Sequence, residues 1–143
     1  MAGWRALVMA LVGLAGCVAE GPSTGTGAYV EISSGGAFSG ATVTRVHSDD
    51  RVETMTSGPF GKDSQRRVKA GRDGVYDAVL AVVLADGPAV AAGQRAEPDC
   101  SDYGSDAVLV LPPADGFAGV SAACPDAGVQ ALQSKVLAVI RGE

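Results

Sequence analysis

The residue types able to do chemistry are few and scattered. The single histidine, His47, is followed by Ser48 and Asp49. Catalysis needs a nucleophile, a base and an orienting group that converge in space. Neighbours on a strand point to opposite faces, so this Ser, His, Asp run makes no triad, and His47 is expected to be an exposed strand-end residue. Cysteines stand at 17, 100 and 124, with no CxxC. Two thiols and one distant imidazole fall short of a zinc ligand set. Glu97, Asp99, Asp102 and Asp106 surround Cys100. They lack the central Gly and closing Glu of an EF-hand loop, so a solvated acidic turn is expected. Nothing selects a carboxylate pair for glycosidic cleavage. Gly35-Gly36-Ala37-Phe38-Ser39-Gly40 could suggest a phosphate cradle. A P-loop requires Lys and Ser or Thr after its last Gly, then a helix, whereas Ala41-Thr42-Val43-Thr44 reads as strand. The expectation is no catalytic residue, no metal, no cofactor and no small-molecule substrate.

The N-terminus carries a clearer signal. Arg5 precedes an apolar run, Ala6 to Gly16, that ends in Leu14-Ala15-Gly16-Cys17. Eleven apolar residues cannot cross a hydrocarbon core that needs about 20, but they suit the h-region of an export signal. The segment resembles the lipobox of bacterial lipoproteins: Leu, a small residue, Gly or Ala, then Cys. That resemblance implies removal of residues 1–16 and a diacylglycerol on the Cys17 thiol, with the membrane as a partner through that lipid. Two acyl chains are what stable anchoring needs, at about 0.8 kcal/mol per buried methylene. In hosts with two membranes, Asp after the lipidated cysteine favours inner-membrane retention. Here Val18-Ala19-Glu20 follows, so the expected location is the outer membrane, facing the periplasm.

If Cys17 carries lipid, an even pair remains, and an even pair in an exported protein reads as a disulfide. A hairpin turning near Ala114 draws Cys100 toward Cys124. A bridge there would close a loop of about 25 residues and stabilise by about 3 kcal/mol.

The elements that must position these residues follow from pattern. Residues 18–28, rich in Gly, Ser, Thr and Pro, read as a flexible tether after Cys17. From residue 29 to 143 a single small domain is expected. Tyr29-Val-Glu-Ile-Ser33, Ala41-Thr-Val-Thr-Arg-Val-His47 and Arg51-Val-Glu-Thr-Met-Thr56 each alternate apolar and polar, which predicts a three-strand antiparallel meander. Ser34–Gly40 reads as a glycine-rich turn. Residues 57–72 read as a loop holding Lys62, Arg66, Arg67, Lys69 and Arg72, the only basic cluster. Asp73 fits the N-cap of a helix beginning near Gly74 and stopped by Asp86-Gly87-Pro88, although a buried strand over Ala78–Leu84 is the alternative. Residues 89–98 read as a loose connection. Ala107–Leu111 reads as a strand, Pro112–Gly116 as a turn and Phe117–Ala123 as the returning strand. Pro125-Asp126 opens a last helix with Val129, Leu132, Val136, Val139 and Ile140 on one face. The sum is an α+β fold: a small antiparallel sheet of about five strands with one or two helices on one face.

Composition bounds the partners. Aromatics are 5% of the chain, so the core must be built from small aliphatic side chains. The formal charge is −5. Removing Arg5 with the leader makes the remainder more acidic. This argues against nucleic acid as a partner, which needs a basic surface.

The order of elements is also similar to emfourins, small inhibitors of thermolysin-type zinc proteases. Members open with a strand and then Ser-Gly-Gly-Phe-x-Gly; this chain has Ser34-Gly35-Gly36-Ala37-Phe38-Ser39-Gly40, with one extra alanine. Members later carry Pro-Asp and Tyr, a strand pair, then Pro and a Leu-rich helix; here stand Pro98-Asp99, Tyr103, Pro125 and Leu132 to Leu137. The inserted Ala37, the lipid anchor and the cysteine pair depart from that pattern. The resemblance implies that Ser34, Gly35, Gly36, Phe38 and Gly40 form the segment that contacts a protein partner. The functional expectation is an envelope-anchored lipoprotein with a non-catalytic binding or structural domain, or alternatively an emfourin-like inhibitor.

Overall fold

The structure, a computed structural model, describes residues 27–95, 100 and 104–143. The leader, Cys17 and the tether up to residue 26 lie outside the described residues, as do Glu97, Pro98, Asp99, Asp102 and Tyr103. The fold is α+β. Six strands form one sheet: β1 (Tyr29–Gly36), β2 (Gly40–His47), β3 (Arg51–Ser57), β4 (Gln65–Ala70), β5 (Ser105–Ala114) and β6 (Phe117–Ala122). Every pairing is antiparallel, and the order across the sheet is β4-β3-β2-β1-β5-β6. Among the described residues there are two α-helices, α1 (Val75–Gly93) and α2 (Ala127–Arg141).

Alternation decides which face is covered. Val30 lies opposite Val46 and Val110, Ile32 opposite Val108, and Val108 opposite Val120. Cross-strand partners share a face, so these valines form one apolar surface. Val75, Val79 and Val83 of α1 and Val129, Leu132 and Val136 of α2 close onto it. Each such side chain, fully buried, contributes on the order of 2 kcal/mol. The helices lie over β6, β5, β1 and β2. Among the described residues, the opposite face carries no helix.

Several elements depart from the sequence reading. The sheet has six strands because residues 65–70, expected as loop, pair with β3 as its edge strand. All six are exposed, so no covered face imposes the apolar alternation that marks a strand. The tether ends early: Ala28 C=O already accepts the Ser48 N–H at 2.9 Å. Residues 75–93 are helix, resolving the choice against the buried strand, and the helix runs through the expected stop at Pro88. Pro88 removes one helix N–H, normally a helix breaker. Val79 and Val83 before it lie in the core, and Val90 and Ala91 after it pack against that core, which carries α1 across it. Gly87 sits against the Phe117 ring, where a Cβ would lie 2.6 Å from two ring carbons. Residues 89–93 are therefore helical.

Asp73 does not cap α1. The N-cap is Gly74, in the left-handed region at φ 73°. The carboxylate of Asp50, on the β2–β3 turn, instead accepts the N–H groups of Gly74 (2.8 Å) and Tyr76 (2.9 Å). These bonds hold the Asp50 carboxyl below the usual carboxylate value. At the other hairpin, β5 continues through Pro112 and Pro113 to Ala114, and only Asp115-Gly116 turn the chain. A disulfide joins Cys100 to Cys124, with Cα atoms 5.3 Å apart. Asp126 caps α2 by accepting the Val129 N–H at 2.9 Å.

Candidate contact surface

The Ser34–Gly40 segment closes the β1–β2 hairpin, with Ala37, Phe38 and Ser39 as its tip. Its glycines have a steric reason. Gly35 has φ 112° and Gly40 φ 81°. A Cβ on Gly35 would collide with the Gly40 carbonyl, and one on Gly40 with the Ser57 carbonyl. These residues let three backbone segments approach closely; they offer no side chain to a partner. Ser34 is exposed opposite Thr42, on the helix-bearing face. The side chain displayed by the tip is Phe38, 60% exposed.

Phe38 is not alone. A 3₁₀ turn, Pro59–Gly61, follows β3 and brings Phe60 beside it. Phe60 is 66% exposed. The two rings meet edge to face, centroids 5.3 Å apart at 77°. The Phe60 N–H donates to the Ala37 carbonyl at 2.6 Å, fixing the turn to the hairpin tip. Phe60 adopts φ 56°, a left-handed conformation that costs a non-glycine residue about 1–2 kcal/mol. Two large apolar rings are thus held in water on a strained, hydrogen-bonded support. Phe60 escaped the sequence reading because it sits in a stretch without periodicity. Its signal was an aromatic placed between turn residues, Gly58-Pro59-Phe60-Gly61.

The helix-free face carries an ionic network. His47, expected to be exposed, is 8% exposed and lies 3.2 Å from Glu53 Oε2 through its Nε2. An ionised carboxylate only accepts, so that nitrogen carries the proton in this contact. Arg66 Nε donates to the other Glu53 oxygen. Burial pushes the Glu53 carboxyl up, but the bonds from Arg66 and His47 outweigh it, and the net position is below the usual value. Beside this trio, Arg45 donates to Glu31 at 2.8 Å and lies 5.1 Å over the Tyr29 ring. Tyr29 in turn contacts His47, ring centroids 5.7 Å apart. His47 and Glu53 have the form of an acid–base pair. Yet among the described residues no hydroxyl or thiol is hydrogen-bonded to His47, and Arg66 already occupies Glu53.

Asp106, read as part of a solvated turn, is buried and accepts from Gln130 Nε2 at 3.3 Å. Among the described residues, no three His, Cys, Asp or Glu side chains gather as a metal site. A hollow of about 920 Å³ lies between the C-terminal end of α1 and the start of α2, lined by Val90, Arg95, Cys124 and Asp126. Among the described residues that line it, the one carboxylate is Asp126, the α2 cap. No protein-family model and no curated protein sequence matches this chain.

Proposed function

We propose that this chain is a lipid-anchored, non-catalytic protein-binding module of a bacterial envelope, and that its contact surface is the Phe38–Phe60 tip. The observation that carries the binding reading is the edge-to-face pair itself, both rings mostly exposed and one held at positive φ. Strained backbone that supports exposed apolar groups costs stability and is kept where it serves contact. Aromatic anchors supply a disproportionate share of interface energy. The anchor reading rests on the lipobox residues Leu14 to Cys17 and on the export context they imply. After Val18-Ala19-Glu20, the outer membrane facing the periplasm is the proposed location.

The test is site-specific photo-crosslinking in living cells. A photoreactive phenylalanine replaces Phe38 in the full chain, and a control carries it at exposed Ala92 on α1. A discrete adduct from position 38, absent at position 92 and lost in a Phe60→Ala background, supports the reading. No adduct, or equal adducts at both positions, contradicts it.

A more specific reading is favoured by the hairpin that Ser34–Gly40 forms: inhibition of a thermolysin-type protease, as in emfourins. The full chain in mild detergent is titrated against such an enzyme. Inhibition at micromolar concentration that Phe38→Ala abolishes supports it; unchanged activity rejects it.

A further inference from the structure

We propose that β4 is a strand-addition site for an extended peptide segment in which acidic and apolar residues alternate. Among the described residues, β4 lies at one end of the sheet and pairs with β3 alone. Its free edge can be assigned residue by residue. Gly71 N–H donates to the Asp50 carbonyl at 2.7 Å, in register with the Arg51–Ala70 pair of the ladder. Antiparallel pairs alternate between hydrogen-bonded and non-hydrogen-bonded. Lys69, Arg67 and Gln65 therefore direct their backbone groups at β3, and Ala70, Val68 and Arg66 direct theirs away from the sheet.

The side chains specify the occupant. Arg67 and Lys69 lie on the helix-bearing side, opposite Thr54 and Val52. Among the described residues neither has a carboxylate partner. Val68, 46% exposed, lies on the other side with Arg66, whose charge is engaged by Glu53. An added strand would thus meet two free cations on one face and an apolar side chain on the other. Hollows flank the strand: one of about 650 Å³ bordered by Val52, Thr54 and the β4 run Arg66 to Lys69, the other of about 330 Å³ bordered by Val43, Met55 and Arg66. Strand addition draws affinity from main-chain bonds and specificity from such alternate-side recesses. Charge also selects against self-pairing, since a second copy would bring Arg and Lys against Arg and Lys. Cations on an edge strand serve in many proteins only to forbid pairing. That role and the proposed one differ in what an acidic strand does.

The experiment uses the full chain in detergent micelles and two synthetic peptides, one alternating Glu and Val, the other Lys and Val. The Glu peptide is expected to bind, to protect the Arg66 and Val68 amides from hydrogen exchange, and to weaken at least about fivefold between about 0.02 M and about 0.3 M salt. Val68→Pro removes an outward N–H while leaving the bonds to β3, and is expected to weaken binding about tenfold or more. Arg67→Glu with Lys69→Glu is expected to switch preference to the Lys peptide, which keeps the proposal testable if the proline variant does not fold. Absence of binding at millimolar Glu peptide, equal binding of both peptides, or occupation of the edge by a second copy in sedimentation would overturn it.

Discussion

Glu53 joins three strands through one carboxylate. It accepts from His47 on β2 and from Arg66 on β4 while lying on β3 itself, only 6% exposed. Removing it strands a buried imidazole and a half-exposed guanidinium. Hydrogen bonds to charged groups contribute roughly 1.5–3 kcal/mol each, less where water competes as it does at Arg66. Glu53→Gln is therefore expected to lower unfolding free energy by about 2 kcal/mol at neutral pH in urea denaturation. The pH sign follows from the depressed carboxyl. Its contribution is fully present above the ordinary value of 4.5 and fades as pH falls through the lower folded value. Stability of the Gln variant should approach that of the native chain over that acid window; a gap that does not narrow as the carboxyl protonates would contradict it. None of this was legible in the sequence. His47 reads as an exposed strand end because its partners, Glu53 and Tyr29, come from β3 and β1, and residue 66, which holds the other Glu53 oxygen, carries no strand signal. The place of Phe38 on a hairpin turn was legible from the glycine motif, whereas its pairing with Phe60 was not, because Phe60 comes from the turn after β3.

Elements with one covered face announced themselves. β1 and β2 alternate because one side packs under helices, β3 buries Val52 on that same side, and α2 repeats Val129, Leu132 and Val136 because that face meets the sheet. β4 has no covered face, so Gln65-Arg66-Arg67-Val68-Lys69 gives no period to read. The end of α1 was misread because Gly87-Pro88 has the local chemistry of a stop, while the Phe117 ring that requires Gly87 is thirty residues away. The Val75, Val79, Val83, Gly87 spacing continues beyond the proline at Ala91, which also packs on the core, and was the available clue. On α2, Gln133 shares the buried face with the apolar residues. Its Nε2 donates to the Ser33 carbonyl at 2.8 Å and the Ala107 carbonyl at 3.2 Å, fastening the helix to β1 and β5. Gln133→Leu keeps helix propensity and volume but leaves two carbonyls without that donor. A loss of about 2 kcal/mol is expected, with faster hydrogen exchange in β1 and β5. Unchanged stability would show that water replaces the amide.

For the whole molecule, the core is mostly valine, and covalent closure matters more than it would in an aromatic-rich core. The Cys100–Cys124 bridge spans 24 positions in sequence. Chain-entropy reasoning gives about 3 kcal/mol for such a loop. Replacing both cysteines by serine is expected to lower stability by that amount, measured by denaturation of the two oxidised preparations. A loss below about 1 kcal/mol would contradict the estimate. At this scale the fold class was readable, since strand runs separated by turns and an amphipathic helix admit few arrangements. The outer edge and the aromatic tip were not, because both depend on how distant segments meet.

The proposed display of the Phe38–Phe60 tip and of the β4 edge at a membrane depends on a lipid on Cys17. Intact-mass spectrometry of the protein isolated from its own cells tests that most directly. The expected result is a polypeptide beginning at Cys17 with the added mass of a diacylglyceryl group. A chain that retains residues 1–16, or a Cys17 thiol open to alkylation, would contradict it.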